Sequence, residues 1–193
     1  MDAKRRIIVG ISGASAPHYG VRLLEVLSGM PEVETHLILS SGARATIEYE
    51  MRRQPDEVAR LADVVHDERA LGDSIASGTF VTDGMIVAPC SARTLAAIAN
   101  GQGDNLIHRA ADVILKERRK LVLMAREAPL SDIHLENMLK LSRMGVVIIP
   151  PVPAFYNHPQ SVDDLVSHIV MRALDQFGVH TDVMTRWDGV MKR

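Results

Sequence analysis

Five short apolar runs recur along the chain, each closed by small or turn-forming residues and each followed by a helical pattern, and this alternation limits the fold more than any other feature. The runs are residues 6–11, Thr35–Leu39, Met85–Ala88 ending at Pro89, Lys120–Ala125, and Val146–Ile149 stopped by Pro150-Pro151. Helices are expected over 17–29, 43–53, 55–63, 92–99, 105–118, 131–144 and 161–177, with 66–83 irregular. Val21, Leu24, Val26 and Leu27 mark the apolar side of the first helix, and Pro17 suits its first turn, where a missing N–H costs nothing. Strands separated by helices cannot pair as tight hairpins. They pair in parallel through crossovers and need helices on both faces. The expectation is therefore an α/β fold with a single doubly wound, mainly parallel sheet, forming one domain over 1–193 with a polar tail from about 178.

The 193 residues suffice for a substantial core, and 47% apolar with 24% charged residues is ordinary globular composition. A formal charge of −2 gives no hint of nucleic acid as partner. The local basic cluster Lys116, Arg118, Arg119 and Lys120 suits a solvated helix end. One cysteine excludes an internal disulfide and any Cys-rich metal site. No apolar stretch approaches the ~20 residues that span a bilayer. The basic start Met1-Asp2-Ala3-Lys4-Arg5-Arg6 carries no signal cleavage pattern. The expectation is a soluble, cytoplasmic protein without membrane or nucleic-acid partners.

In a doubly wound sheet, ligands bind beyond the carboxyl ends of the strands. Those ends read Ser12-Gly13-Ala14-Ser15, Ser40-Ser41, Pro89-Cys90-Ser91-Ala92-Arg93-Thr94, Arg126-Glu127-Ala128-Pro129-Leu130, and Pro150 to Tyr156. The first loop, from Gly10, is neither a Walker sequence nor GxGxxG, and alone it fits a phosphate cradle or a tight turn of small residues. Several ends rich in small hydroxylated residues, with an Arg at the fourth, suit a phosphate-bearing cofactor and not a metal. Taken singly, each residue has an ordinary alternative. Ser15, Ser40 or Thr94 could be a helix cap, Arg126 could pair only with Glu127, and Lys116 could be a solvated lysine. Glu48 and Glu50 could both face solvent, Trp187 could anchor the tail, and Cys90 is a small residue at a strand end. His134, His158 and His168 are too scattered for a metal site.

GISGAS (10–15), APCSARTLAAIA (88–99), RAADVILKERRKLVLMAREAPL (109–130), PPVPAFYNHPQSVDDLV (150–166), RALDQFG (172–178) and Trp187 together resemble the UbiX-type flavin prenyltransferases. The resemblance covers nearly the whole chain. It implies a flavodoxin-like fold, related to the Rossmann arrangement, and transfer of a dimethylallyl group to N5 and C6 of reduced FMN, from a donor that is the monophosphate or the pyrophosphate, the family pattern favouring dimethylallyl monophosphate. No metal is implied. The product, prenylated FMN, serves a partner UbiD-type decarboxylase, and relatives form homo-oligomers, often trimer-based dodecamers with sites at subunit contacts. It also implies that Gly13, Ala14, Ser15, Ser40, Ser91, Ala92, Arg93, Thr94 and Arg126 bind the cofactor, Arg126 as a phosphate ligand. Arg109, Lys116, Glu127, Tyr156, Arg172 and Trp187 fall on the substrate side. Ser15 and Glu50 fall on the proton-transfer positions.

One departure stands out: Ala16-Pro17-His18 follows the GAS motif where the family usually has Gly-Ala. A flavin-dependent cysteine decarboxylase, the nearest rival, would carry Asn where Arg93 stands and a Pro-x-Met-Asn signature that is absent. A flavin carrier would share the cofactor residues without needing Glu50, Lys116, Tyr156 and Arg172 together.

Overall fold

In a computed structural model describing residues 4–187 and 189, the strands β1 (Arg5–Ile11), β2 (Val33–Leu39), β3 (Val64–His66), β4 (Gly84–Cys90), β5 (Lys120–Ala125) and β6 (Val147–Ile148) form one sheet. Its order is β3-β2-β1-β4-β5-β6, and every pair is parallel. The helices are α1 (His18–Ser28), α2 (Ser41–Thr46), α3 (Pro55–Ala59), α4 (Ala92–Ala99), α5 (Leu106–Lys116), α6 (Asp132–Arg143) and α7 (Val162–Asp175). The order in which successive strands are laid down reverses between β1 and β4, so the crevice at their carboxyl ends is the topological switch point. Without the short edge strand β3, the order is that of flavodoxin; with it, that of the Rossmann sheet.

Side-chain alternation divides the core. Ile7, Val9 and Ile11 of β1, Ile86 and Ala88 of β4, and Val122 and Met124 of β5 pack beneath α1 and α7. Ile8, Met85, Val87, Leu121 and Leu123 face the other way, against α4, α5 and α6. Successive residues of a strand point to opposite faces, which is why these apolar runs are continuous. Each large side chain so buried contributes about 1.5–3 kcal/mol.

Several boundaries differ from the sequence expectation. β3 arises between the helix expected over 55–63 and the stretch 66–83 read as irregular, because its exposed Val64 and Val65 sit on an edge and leave little pattern. The helix expected over 55–63 ends at Ala59. The one expected over 43–53 begins at Ser41 and turns into a π-helical turn, Ile47–Met51, that ends with Arg52 left-handed at φ 52°. β4 runs past Ala88 to Cys90. Pro89, which has no N–H for the ladder, sits within a register irregularity between Val87 and Cys90.

Candidate functional site

At the carboxyl ends of β1 to β4 lies a cavity of about 510 Å³ lined by Gly13, Ser40, Ser41, Gly42, Glu68, Arg69, Ser91, Arg93, Thr94, Asp104, Asn105 and His108. The loops after β1 and β2 meet there glycine to glycine. A Cβ on Gly13 would stand 2.9 Å from the Cα of Gly42, so neither loop tolerates a side chain at that contact. Ser12 braces the floor: its hydroxyl donates to the Pro89 carbonyl at 2.8 Å and accepts from the Ser91 N–H at 2.8 Å.

Helix starts face the cavity. Ser91 Oγ accepts from Thr94 N–H at 3.2 Å at the start of α4, and Asn105 Oδ1 accepts from His108 N–H at 3.0 Å at the start of α5. Ser40 Oγ caps α2 from Ala43 N–H at 3.1 Å. Of the serines expected to bind the cofactor, Ser40 and Ser91 are helix caps, whereas Ser15 bonds Glu50. Exposed backbone donors and helix dipoles make such ends favourable to an anion, and Arg69 and Arg93 add full charges. Glu68 offsets them in part, its Oε1 accepting from Ser41 N–H at 2.8 Å. His108, only 3% exposed, has no partner for Nδ1; burial chiefly, with Arg93 adding against Asp104, holds its pKa below the ordinary range.

Two residues beyond Gly13, the π turn brings Glu50 to the β1 loop. Glu50 Oε2 accepts from the Ser15 hydroxyl at 3.2 Å and from the Ala16 N–H at 2.8 Å. Glu50 is half-buried, whereas Glu48 is exposed, so the fold distinguishes two glutamates that sequence spacing leaves alike. Ala16 sits at φ 67°, a conformation that suits glycine and strains alanine. Arg126 is exposed beyond β5, its backbone N–H held by the Cys90 carbonyl at 3.0 Å. Its guanidinium lies close enough to Tyr19 to oppose the upward pKa shift that burial imposes on that phenol. Cys90 is fully buried and its thiol is pushed up by desolvation, which suits a packing role.

A second groove, of about 370 Å³, brings together Tyr156, Arg172 and Trp187 with Met171, Asp175, Gln176 and Arg186. The Tyr156 hydroxyl and His168 Nε2 are 3.3 Å apart, and the Tyr156 and Trp187 rings meet edge to face at 5.6 Å. Asp175 accepts from both terminal nitrogens of Arg186 at 2.9 and 2.7 Å, anchoring the tail beside Trp187. That clamp lowers the Asp175 pKa, the Arg186 bonds outweighing burial.

Not every expected residue joins these two sites. Ala14 is buried behind the first loop, and Ala92 opens α4 beside the cavity. Arg109 lies on the exposed side of α5, paired with Asp112 at 3.0 Å. Glu127 is exposed and bonds the Ala128 N–H at 3.1 Å. Lys116 stands at the far end of α5, paired with Glu117 at 3.6 Å. Eleven helical residues put it about 16 Å from the cavity end. Sequence reading missed Glu68, Arg69, Asn105, His108 and the Asp175–Arg186 clamp. Only Asn105 carries a local signal, as a capping residue directly before an apolar helix.

A flavin-sized, anion-favouring cavity at a switch point defines a nucleotide- or flavin-binding α/β protein, and residues 1–174 match the Flavoprotein family. A probable UbiX-like flavin prenyltransferase of Streptomyces sp. (strain D7) is 56% identical over 185 residues, covering 96% of this chain and 92% of that one. The crystal structure of AnUbiX (PadA1) in complex with FMN and dimethylallyl pyrophosphate superposes with TM-score 0.95 at 51% identity, covering 97% of this chain and 99% of that one. A dodecameric FMN-dependent Ubix-like decarboxylase from Escherichia coli O157:H7 gives TM-score 0.94 at 56% identity, covering 95% and 100%. The chain belongs to the UbiX-like flavin prenyltransferases, a transferase family.

Proposed function

We propose that this enzyme transfers the dimethylallyl group of dimethylallyl monophosphate to N5 and C6 of reduced FMN, and that the prenylated FMN serves a UbiD-type decarboxylase. The observation that carries the reading is the Ser15–Glu50 pair, held at 3.2 Å beside a cavity built for an anionic ligand. The cavity fits a flavin mononucleotide in volume, in its capped helix starts and in its glycine contact. Gly13, Ala14, Ser15, Ser40, Ser91, Ala92, Arg93 and Thr94 hold it, with Arg126 on the phosphate side of the donor. When bound, reduced FMN supplies the nucleophilic nitrogen and carbon that receive the prenyl group.

The chain's own residues do the rest. Arg126, Tyr156 and Arg172 hold the donor phosphate and offset the negative charge that grows on it as the allylic C–O bond breaks. Trp187 covers the allyl group and excludes water, which would otherwise capture a carbocation. Glu50, with the Ser15 hydroxyl as relay, carries at Oε2 the two protons displaced as the two bonds to the prenyl group form, one passing to the prenyl double bond and the other to the departing phosphate. Inorganic phosphate leaves. Arg109, Lys116 and Glu127 act on the site of a neighbouring copy in a trimer-based homo-oligomer, dodecameric like the Escherichia coli relative, since Lys116 stands far from its own cavity. A reduced flavin and the free, buried Cys90 suit the reducing cytoplasm.

The test is reactivation of an apo UbiD-type decarboxylase by the small-molecule filtrate of the reaction. The expected result is activity from wild-type filtrate and none from Glu50→Gln. Equal activity from untreated FMN would overturn the reading.

A further inference from the structure

Four side chains outside both sites form a continuous hydrogen-bonded chain. Glu34 Oε1 meets His36 Nε2 at 3.0 Å, His36 Nδ1 meets His66 Nε2 at 2.9 Å, and His66 Nδ1 meets Asp73 Oδ2 at 2.8 Å. Both imidazoles are buried, 3% and 5% exposed, and their rings stack at 5.2 Å. Arg6 on β1 donates to the same Glu34 oxygen at 2.8 Å and covers the Phe80 ring, whose edge closes on His36.

Counting protons shows that this chain is not two neutral histidines. Its three contacts need three N–H hydrogens, because an ionised carboxylate only accepts. Two neutral imidazoles supply two. With both neutral, either two lone pairs would face each other at 2.9 Å or one ring would abandon its carboxylate. Both carboxylates stay ionised: the His36 bond, then that of Arg6, hold Glu34 below its ordinary range. At Asp73 burial pushes up, but the bonds from His66 and Ser74 prevail and the net shift is downward. At His36 burial pushes down against the Glu34 bond, and the net shift is downward. The pair as a whole therefore carries one proton more than two neutral rings, shared across the 2.9 Å contact between them.

The placement gives this proton a consequence. His66 ends β3 and Asp73 precedes the 3-10 turn Ser74–Ala76, so their bond closes the loop between them. That loop carries Glu68 and Arg69, which line the cavity. It is pinned further where the Glu68 carbonyl accepts from Leu106 N–H at 2.8 Å and the Glu68 carboxylate accepts from Ser41 N–H at 2.8 Å. The other groups around the pair are Ile75 in the 3-10 turn, Asp83 holding the Arg6 backbone N–H, and Arg119 bonded to the Phe80 carbonyl.

The geometry points to His36 and His66 as a singly protonated pair that positions the 67–73 loop, and with it Glu68 and Arg69, as one wall of the flavin cavity. These are positioning residues, and the inference rests on the reading that the cavity takes FMN. Loss of the proton removes one of the three bonds and frees the wall. FMN affinity then falls as pH rises above the deprotonation of the pair, by at most tenfold per pH unit for a single proton.

Long-range 1H–15N correlation spectra of histidine-labelled protein test the proton count without ligand. At neutral pH they are expected to show three protonated ring nitrogens across His36 and His66. FMN titration between pH 5 and 9 tests the coupling, where Asp73→Asn is expected to move the affinity step to lower pH and Asp73→Glu to restore it. Two singly protonated imidazoles at neutral pH would overturn the proposal, as would an affinity step that Asp73→Asn leaves in place. The three-proton pattern in a protein that binds no FMN at any pH would instead overturn the flavin reading while leaving the proton count standing.

Discussion

Ala16, at φ 67°, donates its N–H to Glu50 Oε2 at 2.8 Å. The loop after β1 is thus held in a left-handed turn by the carboxylate assigned to proton transfer, at the position where this chain departs from the usual glycine. Ala16→Gly relieves the strain while keeping the N–H. The expected outcome is a gain of up to about 1 kcal/mol in stability, since relief of the left-handed alanine outweighs the entropy glycine adds to the unfolded chain. Equilibrium urea unfolding measures it, with FMN affinity unchanged. A loss of stability would contradict the strain argument.

Gly13 and Gly42 admit no Cβ between them, the contact being 2.9 Å for a modified Gly13. Gly13→Ala must push the β1 and β2 loops apart, at a cost of about 1–3 kcal/mol of the kind overpacking imposes. Because both residues line the cavity, FMN affinity is expected to fall together with stability. Isothermal titration and unfolding on the same variant check this; full stability with wild-type affinity would show that the loops yield freely.

The Asp175–Arg186 clamp sets the tail beside Tyr156. Asp175→Asn loses the charge and one half of the fork. The expected result is a higher KM for the prenyl donor with FMN affinity retained, read by steady-state kinetics with donor varied at saturating FMN. An unchanged KM would separate the tail from the donor site.

Stability depends on pH through the buried histidines. Burial holds His108 below the ordinary histidine range, and burial with Arg172 does the same at His168. An unfolded chain takes up these protons near pH ~6.5, whereas the native protein does so only at lower pH. In that window the unfolded state binds more protons, so stability is lost as pH falls from about 6.5 through the depressed native values. Urea midpoints at several pH values between 5 and 7.5 are expected to show this fall, and His108→Gln with His168→Gln to flatten it. An unaltered slope in the double variant would assign the effect elsewhere.

How much was legible follows from where each signal lies. The parallel sheet was readable because β1, β4 and β5 are buried on both faces and keep mostly apolar runs, while β2 keeps one in Leu37–Leu39. Ser40 and Ser91 were readable as helix caps because a serine directly after a strand and before a helix is a favoured capping residue. β3 was not, being three residues with two of them exposed. The π turn was hidden because it differs from α-helix only in hydrogen-bond register, with no change of composition. Glu68 and Arg69 are brought to the cavity by tertiary folding of an aperiodic loop, and Asp175 meets Arg186 only through the path of the tail. The roles of Lys116, Arg172 and Trp187 came from resemblance, and the fold groups only the last two with Tyr156.

The central claim is prenyl transfer that depends on Glu50. Anaerobic incubation of the purified protein with reduced FMN and dimethylallyl monophosphate, followed by mass spectrometry of the released flavin, tests it most directly. The account predicts a flavin heavier by one C5 prenyl unit from wild type, and from Glu50→Gln a product yield lower by about 100-fold or more with FMN still bound. Unmodified FMN from wild type, or full yield from Glu50→Gln, would contradict it.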